Sequence, residues 1–470
     1  MAMWFGSRLT STTGTAAAYH GSEGSTRQEG LSPVWKGPLA VQSLRTVEDA
    51  SRVERRCAAS RRCDPVVCSR SPTFRVFHVK QLSPSPLLDE SLSAALQALA
   101  KRGLLRQPRA ALPPLGSELS YEGQRVLNMC SNNYLGLANH PELLRAAAEL
   151  LDSMGLAAGA SPLVSGTFAP HRQAEANLAR WLAQGDALLF SSGYAANVGA
   201  LSALAEAEDV IFSDALNHAS LIDGARLSRA KVFVYRHNDA SHLEALLKEE
   251  RTRFRRAFVV SDAVFSMDGD LAPLPFLRRL CDAHQASLYI DEAHALGVFG
   301  PQGAGLCAAE GIEADILSGT FGKSLGLQGA FVAASPVVVE WLRQRARSYV
   351  YSTAGAPLFA ALLDTSLALL RGADLRRQRL FAAAQTLQRG LLDLGFELGP
   401  TRSPILPVLV GDAEKTMRWS AQLFQQGVFV QGIRPPTVPA GSSRLRLVPT
   451  AEHSDEDLQR TLQAFAALER

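Results

Sequence analysis

Nowhere does this chain of 470 residues carry an apolar run long enough to cross a membrane, which takes about 20 consecutive apolar residues. It also lacks an excess of one charge. Lys and Arg number 48 against 45 Asp and Glu, and a net charge of +3 gives no reason to expect nucleic acid or an anionic membrane as partner. Cysteine is sparse, with six in all. Cys130, Cys281 and Cys307 stand singly in apolar stretches and read as reduced core thiols. Cys57, Cys63 and Cys68 cluster without a fourth ligand at zinc-finger spacing, so no metal site is expected. No short-period repeat is present. What the chain does have is an ordinary globular balance, 47% hydrophobic and 20% charged residues, and a length that fits two domains plus an appendage.

The appendage is the first 80 residues or so, which are rich in Ser, Thr, Gly and Arg and lack apolar periodicity. Such a segment buries too little apolar surface to offset its ordering entropy, and it is expected to be disordered. Its first acid is Glu23 and Arg8 lies in a Ser/Thr-rich run, so organellar targeting stays open beside the expected cytoplasmic location, as does, at least equally, an over-extended reading frame.

From Leu87 to Leu105 the leucines 88, 92, 96 and 99 have helical spacing. Residues 125–129 read as a strand, and Pro141 opens a helix at the position where proline is tolerated. Gly155–Thr167 is a loop of small residues suited to lying against a ligand. Seven short apolar runs follow, at 187–190, 209–212, 231–235, 257–260, 287–290, 315–317 and 330–333. Helical segments separate most of them, one expected to open with a capping box of Ser241 and Glu244. Strands alternating with helices predict an α/β fold around a mostly parallel sheet covered on both faces. Ligands of such sheets bind beyond the carboxyl ends of the strands.

That is where the chemically able residues fall. After the first run comes Ser191-Ser-Gly-Tyr-Ala-Ala-Asn197, which enters a helix; free amides at a helix start, with Gly193 allowing close approach, make an anion site suited to a phosphate. After the second comes His218, able to lay a flat ring on a planar ligand, although a lone histidine is more often a satisfied core residue. After the fourth comes Asp262–Asp270, which contains Ser266, and after the fifth Asp291-Glu-Ala-His294. A half-buried Asp291 calls for a cation, and a protonated ring nitrogen would be one. After the sixth run Lys323 sits among small residues, where poor solvation should draw its pKa from roughly 10.4 toward neutrality and make the amine nucleophilic. A phosphate cradle, a stacking ring, an acid and an amine together suit pyridoxal 5′-phosphate (PLP). The rival reading takes Asp291–His294 as a helicase box and Gly322-Lys-Ser324 as the end of a P-loop. It fails because Leu317 stands where that loop needs glycine, and because the two motifs come in the wrong order.

The ordered set Asn132–Gly136, Ser191–Asn197, Asn217–Ser220, Phe265–Asp270, Asp291–His294 and Gly319–Lys323 resembles the α-oxoamine synthases, within the fold-type I PLP enzymes, from about Leu87 to the end. The resemblance implies a large PLP-binding domain with a seven-stranded sheet at 131–358, a smaller α/β domain at 359–470, and a helix and arm at 81–130. It implies that Lys323 holds the cofactor and moves protons, that Asp291 pairs with the pyridine nitrogen and that His218 stacks on the ring. Ser266 and His294 would bond the ring hydroxyl, and Gly193, Tyr194 and Thr320 would lie near the phosphate. Ser352 and Thr353 would reach the phosphate of a neighbouring subunit, making a homodimer with shared sites. On the strand-like Leu445-Arg-Leu447, Arg446 is suited to a bidentate grip on an amino-acid carboxylate. Arg434, before Pro435-Pro436, and Asn132 complete the expected substrate contacts.

The activity so implied is decarboxylative condensation of an amino acid with an acyl thioester carried on CoA or a carrier protein. The Arg434-Pro-Pro436 feature points to L-alanine and a pimeloyl thioester. Glycine or serine with another acyl-CoA is the alternative, and a non-catalytic subunit a distant one. The chain departs from the family pattern at Pro162, at Ala354–Pro357 and around Phe321 and Ser324–Leu327, all on the acyl-substrate side.

Overall fold

The computed structural model describes residues 86–121 and 123–469, and the expectations for residues 1–80, including Cys57, Cys63 and Cys68, lie outside them. Helix Pro86–Lys101 opens the described chain. It stops four residues short of Leu105 because Gly103 takes φ +65°, with Gly103 N donating to Ala100 O and Leu104 N to Leu99 O. Its stripe of Leu88, Leu92 and Leu96 faces outward, each about half exposed (58%, 51% and 52%). Strands β1 (Glu118–Tyr121) and β2 (Gln124–Asn128) pair antiparallel. Helix Pro141–Met154 begins on its proline.

All seven expected strands of the main sheet form: β3 (Asp186–Phe190), β4 (Val210–Asp214), β5 (Lys231–Tyr235), β6 (Ala257–Asp262), β7 (Ser287–Asp291), β8 (Ile316–Thr320) and β9 (Ala330–Ala334). Their order is β3-β9-β8-β7-β6-β4-β5, and only β9 runs against the rest. Side chains alternate between two apolar layers. Phe212, Val259, Leu288, Ile290 and Leu317 face one, while Ile211, Phe258, Val260, Tyr289 and Ile316 face the other. Both faces are dry except at the edge strand β5, where Lys231 and Val234 are exposed, which is why the inner strands read as continuous apolar runs.

One expected cap is corrected. Helix Ala240–Glu250 is capped by Asp239, whose side chain accepts from His242 N at 2.8 Å, so Ser241 lies inside the helix and the Ser241–Glu244 box does not form. Either residue satisfies the spacing rule; the backbone turn at Asn238 (φ +52°) brings the carboxylate to the helix start.

Toward the C-terminus, β10 (Leu406–Gly411), β12 (Gln431–Ile433) and β13 (Ser443–Leu447) form an antiparallel sheet with β13 in the centre, while β11 (Val428–Phe429) joins β2. A separate apolar cluster supports this part, with Leu127 and Met129 beside Leu387, Trp419, Leu445, Leu447 and Phe465. Helix Pro357–Arg371 instead buries Leu358, Leu362, Leu363 and Leu367 in a cluster of the main sheet. No helix among the described residues is long and apolar enough to cross a membrane.

Candidate active site

The carboxyl ends of β4, β6, β7 and β8 carry the reactive groups to one place. Asp291 ends β7, and its carboxylate is fixed from two sides: Asn197 Nδ2 donates to Oδ2 at 2.6 Å and Ala293 N donates to Oδ1 at 2.9 Å. Asn197 is held in turn, its Oδ1 accepting from the Tyr289 hydroxyl at 2.8 Å and its Nδ2 also donating to Ser220 Oγ at 2.9 Å. Asn197 was visible in the sequence as the end of a turn, but nothing local marked it as the residue that orients Asp291. It lies 94 residues away on helix Gly193–Leu204.

Lys323 stands within electrostatic reach of Asp291, Asp262 and Arg446, and burial pulls its amine down to about 8, against the two acids. This matches the solvation argument from its small neighbours. Amine-reactive labelling of the cofactor-free protein, followed by peptide mass spectrometry, is therefore expected to modify Lys323 with a midpoint near pH 8. A midpoint above 10 would mean the site is wet.

His218 caps helix Ala219–Leu227, its Nδ1 accepting from Ser220 N at 3.3 Å. The residue keeps accessible surface while its ring sits among the site's groups, where desolvation lowers its pKa, Asp291 opposes that and Lys323 adds to it. Its backbone N donates to Asp262 Oδ2 at 2.6 Å. Asp262, a buried acid at the end of β6, is pushed well above the carboxylate range by burial and then by Asp291. His294 is buried with Nδ1 2.7 Å from the Tyr134 hydroxyl, and burial, then Lys323 and Arg446, keep its ring neutral. Among the described residues the Ser266 hydroxyl has no hydrogen-bond partner, while its carbonyl accepts from Arg446 Nε at 2.6 Å. Arg446 Nη2 reaches Asn132 Oδ1 at 3.1 Å. Asp291, Lys323, His218, His294, Asn132 and Arg446 thus converge, as does the backbone of Ser266.

The expected phosphate cradle is beside them. Ser192 caps helix Gly193–Leu204 through Ala195 N, leaving the amides of Gly193 and Tyr194 without an intrahelical acceptor. Gly193 backs onto Thr320: a Cβ at Gly193 would come within 3.5 Å of the Thr320 Cβ. Tyr194 turns its hydroxyl outward to Asp223 Oδ2, 2.5 Å away, so only its backbone faces the cradle. Ser352 and Thr353 make no hydrogen bond to this cluster. They line a cavity of about 320 Å³ with Thr167, Ser191, Phe321 and Gln328. The small-residue loop expected against a ligand lines that same cavity, through Leu156, Pro162, Gly166 and Thr167.

Arg434 is also apart from the lysine. Its guanidinium donates to Leu105 O and Met417 Sδ, each at 2.9 Å, its Nε is buried without a partner, and burial followed by Arg106 lowers its pKa. Arg106 donates to Thr437 Oγ1 at 2.8 Å. Among the described residues no carboxylate pairs with Arg106, Arg434 or Arg446. Arg106 and Tyr134 were missed from the sequence, since an exposed-looking arginine and a core tyrosine carry no local signal.

The donor set fits PLP: free helix-start amides for a phosphate, an accessible histidine, a fixed carboxylate for a ring nitrogen, and an amine of low basicity. The sequence profile of the family described as aminotransferase class I and II matches residues 124–465. The 8-amino-7-oxononanoate synthase of Anaeromyxobacter dehalogenans is 46% identical over 379 residues, which covers 80% of this chain and 95% of that protein. A solved serine palmitoyltransferase from S. paucimobilis with bound PLP aligns with a TM-score of 0.76 at 33% identity, covering 81% of this chain and 97% of its own. The 8-amino-7-oxononanoate synthase structure from Francisella tularensis aligns with a TM-score of 0.64 at 27% identity, covering 73% of this chain and 97% of its own.

Proposed function

Because this chain belongs to the aminotransferase class I and II family, and within it to the PLP-dependent α-oxoamine synthases, we propose that it condenses L-alanine with a pimeloyl thioester. Thiol and carbon dioxide leave, and 8-amino-7-oxononanoate is released for biotin synthesis. The observation that carries this choice of acyl group is the unpaired couple Arg106 and Arg434. A pimeloyl chain ends in a carboxylate, and two guanidiniums within electrostatic reach of one another, with no acid paired to either among the described residues, are a natural seat for it.

PLP, when bound, supplies an electron sink that acidifies the α carbon of the amino acid. The chain's residues do the rest. Lys323 Nζ anchors the cofactor and then carries the proton, which its pKa near 8 suits it to release and regain. Asp291, held by Asn197 and Ala293, keeps a proton on the ring nitrogen. His218 covers the ring face, while Ser266 and the neutral His294 meet its hydroxyl. The amides of Gly193 and Tyr194, with Thr320, hold the phosphate, joined by Ser352 and Thr353 of a second copy in a homodimer. The outward leucine stripe of helix Pro86–Lys101 supports such a second copy. Arg446 gives Nε to Ser266 O and Nη2 to Asn132 Oδ1, and with no carboxylate paired to it among the described residues its guanidinium is the group for the amino-acid carboxylate. Asn132 Oδ1 is occupied by that contact, so its amide nitrogen is the group left for the acyl carbonyl.

Arg434→Ala is expected to raise KM for pimeloyl thioester on the order of 10- to 100-fold, the loss of a charge-assisted pair, with KM for L-alanine unchanged. An octanoyl thioester, which lacks the distal carboxylate, should not distinguish variant from wild type. Equal losses on both thioesters would remove the dicarboxylate from the proposal. The likeness to serine palmitoyltransferase favours the second reading, serine or glycine with another acyl-CoA. Mass spectrometry of products from a thioester panel with each amino acid separates the two.

A further inference from the structure

The ends of three adjacent strands, β6, β4 and β5, are tied together by a histidine that none of the roles above employs. His237 lies two residues beyond β5. Its Nδ1 is 2.9 Å from Oδ1 of Asp214, the last residue of β4, and its Nε2 is 2.7 Å from Oδ2 of Asp270, in the loop after β6. The next residue repeats the bridge, with Asn238 N donating to Asp214 Oδ2 at 2.9 Å and Asn238 Nδ2 to Asp270 Oδ2 at 2.7 Å. Phe265 sets its ring edge-on to the imidazole, centroids 4.4 Å apart.

Each partner leads directly to a cofactor contact. Asp214 begins the turn that ends in His218, and its Oδ1 also accepts from Leu216 N at 2.8 Å. Asp270 closes the loop whose Phe265 N donates to Asp270 O at 3.0 Å, and that loop carries Ser266. The other side of the same loop is gripped from the C-terminal sheet and the segment leading into it. Arg444 pairs with Asp268, Arg446 Nε donates to Ser266 O, and Arg402 N donates to Gly269 O at 3.1 Å. Toward β7 the start of the loop is tied by Ala263 N, which donates to Asp291 O at 2.9 Å, and the bridge through His237 and Asn238 adds the tie of its far end toward β4 and β5.

We propose that His237 is a positioning residue: by bridging Asp214 and Asp270 it sets the loop of Ser266 in register with the turn of His218. The proposal rests on the reading of His218 and Ser266 as contacts of PLP. The groups facing the ring are the Asp214 and Asp270 carboxylates, the Asn238 amide and the Phe265 ring. The Tyr235 phenol beside Asp214 stays neutral, raised by burial and then by that acid. Burial alone would lower the His237 pKa, but the hydrogen bonds to Asp214 and Asp270 raise it to about 10. A group raised this way stabilises the fold fully below its unfolded value of about 6.5, and the contribution is lost as pH rises through about 10.

The test titrates His237→Gln with PLP at a temperature where its far-ultraviolet circular dichroism matches wild type. Glutamine can donate to one carboxylate but cannot bridge both as a cation. The expected result is a Kd for PLP raised about tenfold or more, with a weakened induced dichroism of the bound cofactor, while borohydride still traps PLP on Lys323. A lower Tm with unchanged Kd and unchanged induced dichroism overturns the proposal. If His237→Gln does not fold, wild type and Asp270→Asn holoenzymes decide between pH 8 and 11. The induced dichroism of wild type should fade with a midpoint near 10, and that of Asp270→Asn about one pH unit or more lower, since one of the two raising acids is gone. Coincident midpoints overturn the proposal equally. His218→Ala is the control for the underlying reading: if it leaves the induced dichroism intact, the assignment of His218 to the ring fails, whatever His237 does.

Discussion

Lys323→Ala abolishes covalent capture of PLP and lowers turnover by about 10³-fold or more, since one side chain supplies both the anchor and the proton carrier. Absorbance of the purified variant and borohydride trapping measure the first loss, and product mass spectrometry the second. The fold should survive, because the substitution removes an amine whose charged form burial already disfavours. Its absence is felt by the acids. Lys323 is one of the groups that lowers Asp262, so without it Asp262 moves further above the carboxylate range. A variant that retains full turnover would mean that another residue carries the proton, and the assignment of this lysine would be wrong.

Asp291→Asn is expected to cost about 10²- to 10³-fold in kcat while PLP still binds, the scale for removing one preorganised charge from a dry site. The side chains are nearly isosteric, so the loss reports charge and hydrogen-bond polarity. An asparagine can accept from Asn197 Nδ2 or from Ala293 N with its one oxygen, but not from both, and its amide must then face the other donor. The neighbours also retitrate in a stated direction. Lys323 and His218 each lose an anion that raises them, so both fall, while Asp262 loses a like charge and falls as well. Labelling of Lys323 should therefore proceed at lower pH in the variant than in wild type. Near-normal kcat would refute the role of Asp291 in holding the ring proton.

The main sheet was legible from its seven apolar runs because the inner strands, dry on both faces, have few positions that are not apolar, and the half-exposed edge strand β5 keeps the same composition. The reactive residues were legible because each follows such a run within a few positions, and chain order alone places them at one edge of a parallel sheet. Caps and partners were less so. Ser241 with Glu244 satisfies the capping pattern as well as Asp239 does, and only the turn at Asn238 decides between them.

What the amino-acid sequence determined by itself is the strand set, the order of the site residues along the sheet edge, and the low basicity of a lysine among small residues. What the tertiary structure decided is which distant groups meet: Asn197 with Asp291, Tyr134 with His294, and Arg446 with Asn132, while Arg106 comes within electrostatic reach of Arg434. It also separated Arg434 from the lysine and sent the Tyr194 hydroxyl to Asp223. The reason is physical. Periodicity and solvation act over a few residues and leave a pattern in the chain, whereas a hydrogen bond between residues 94 or 314 positions apart depends on packing that no local pattern encodes.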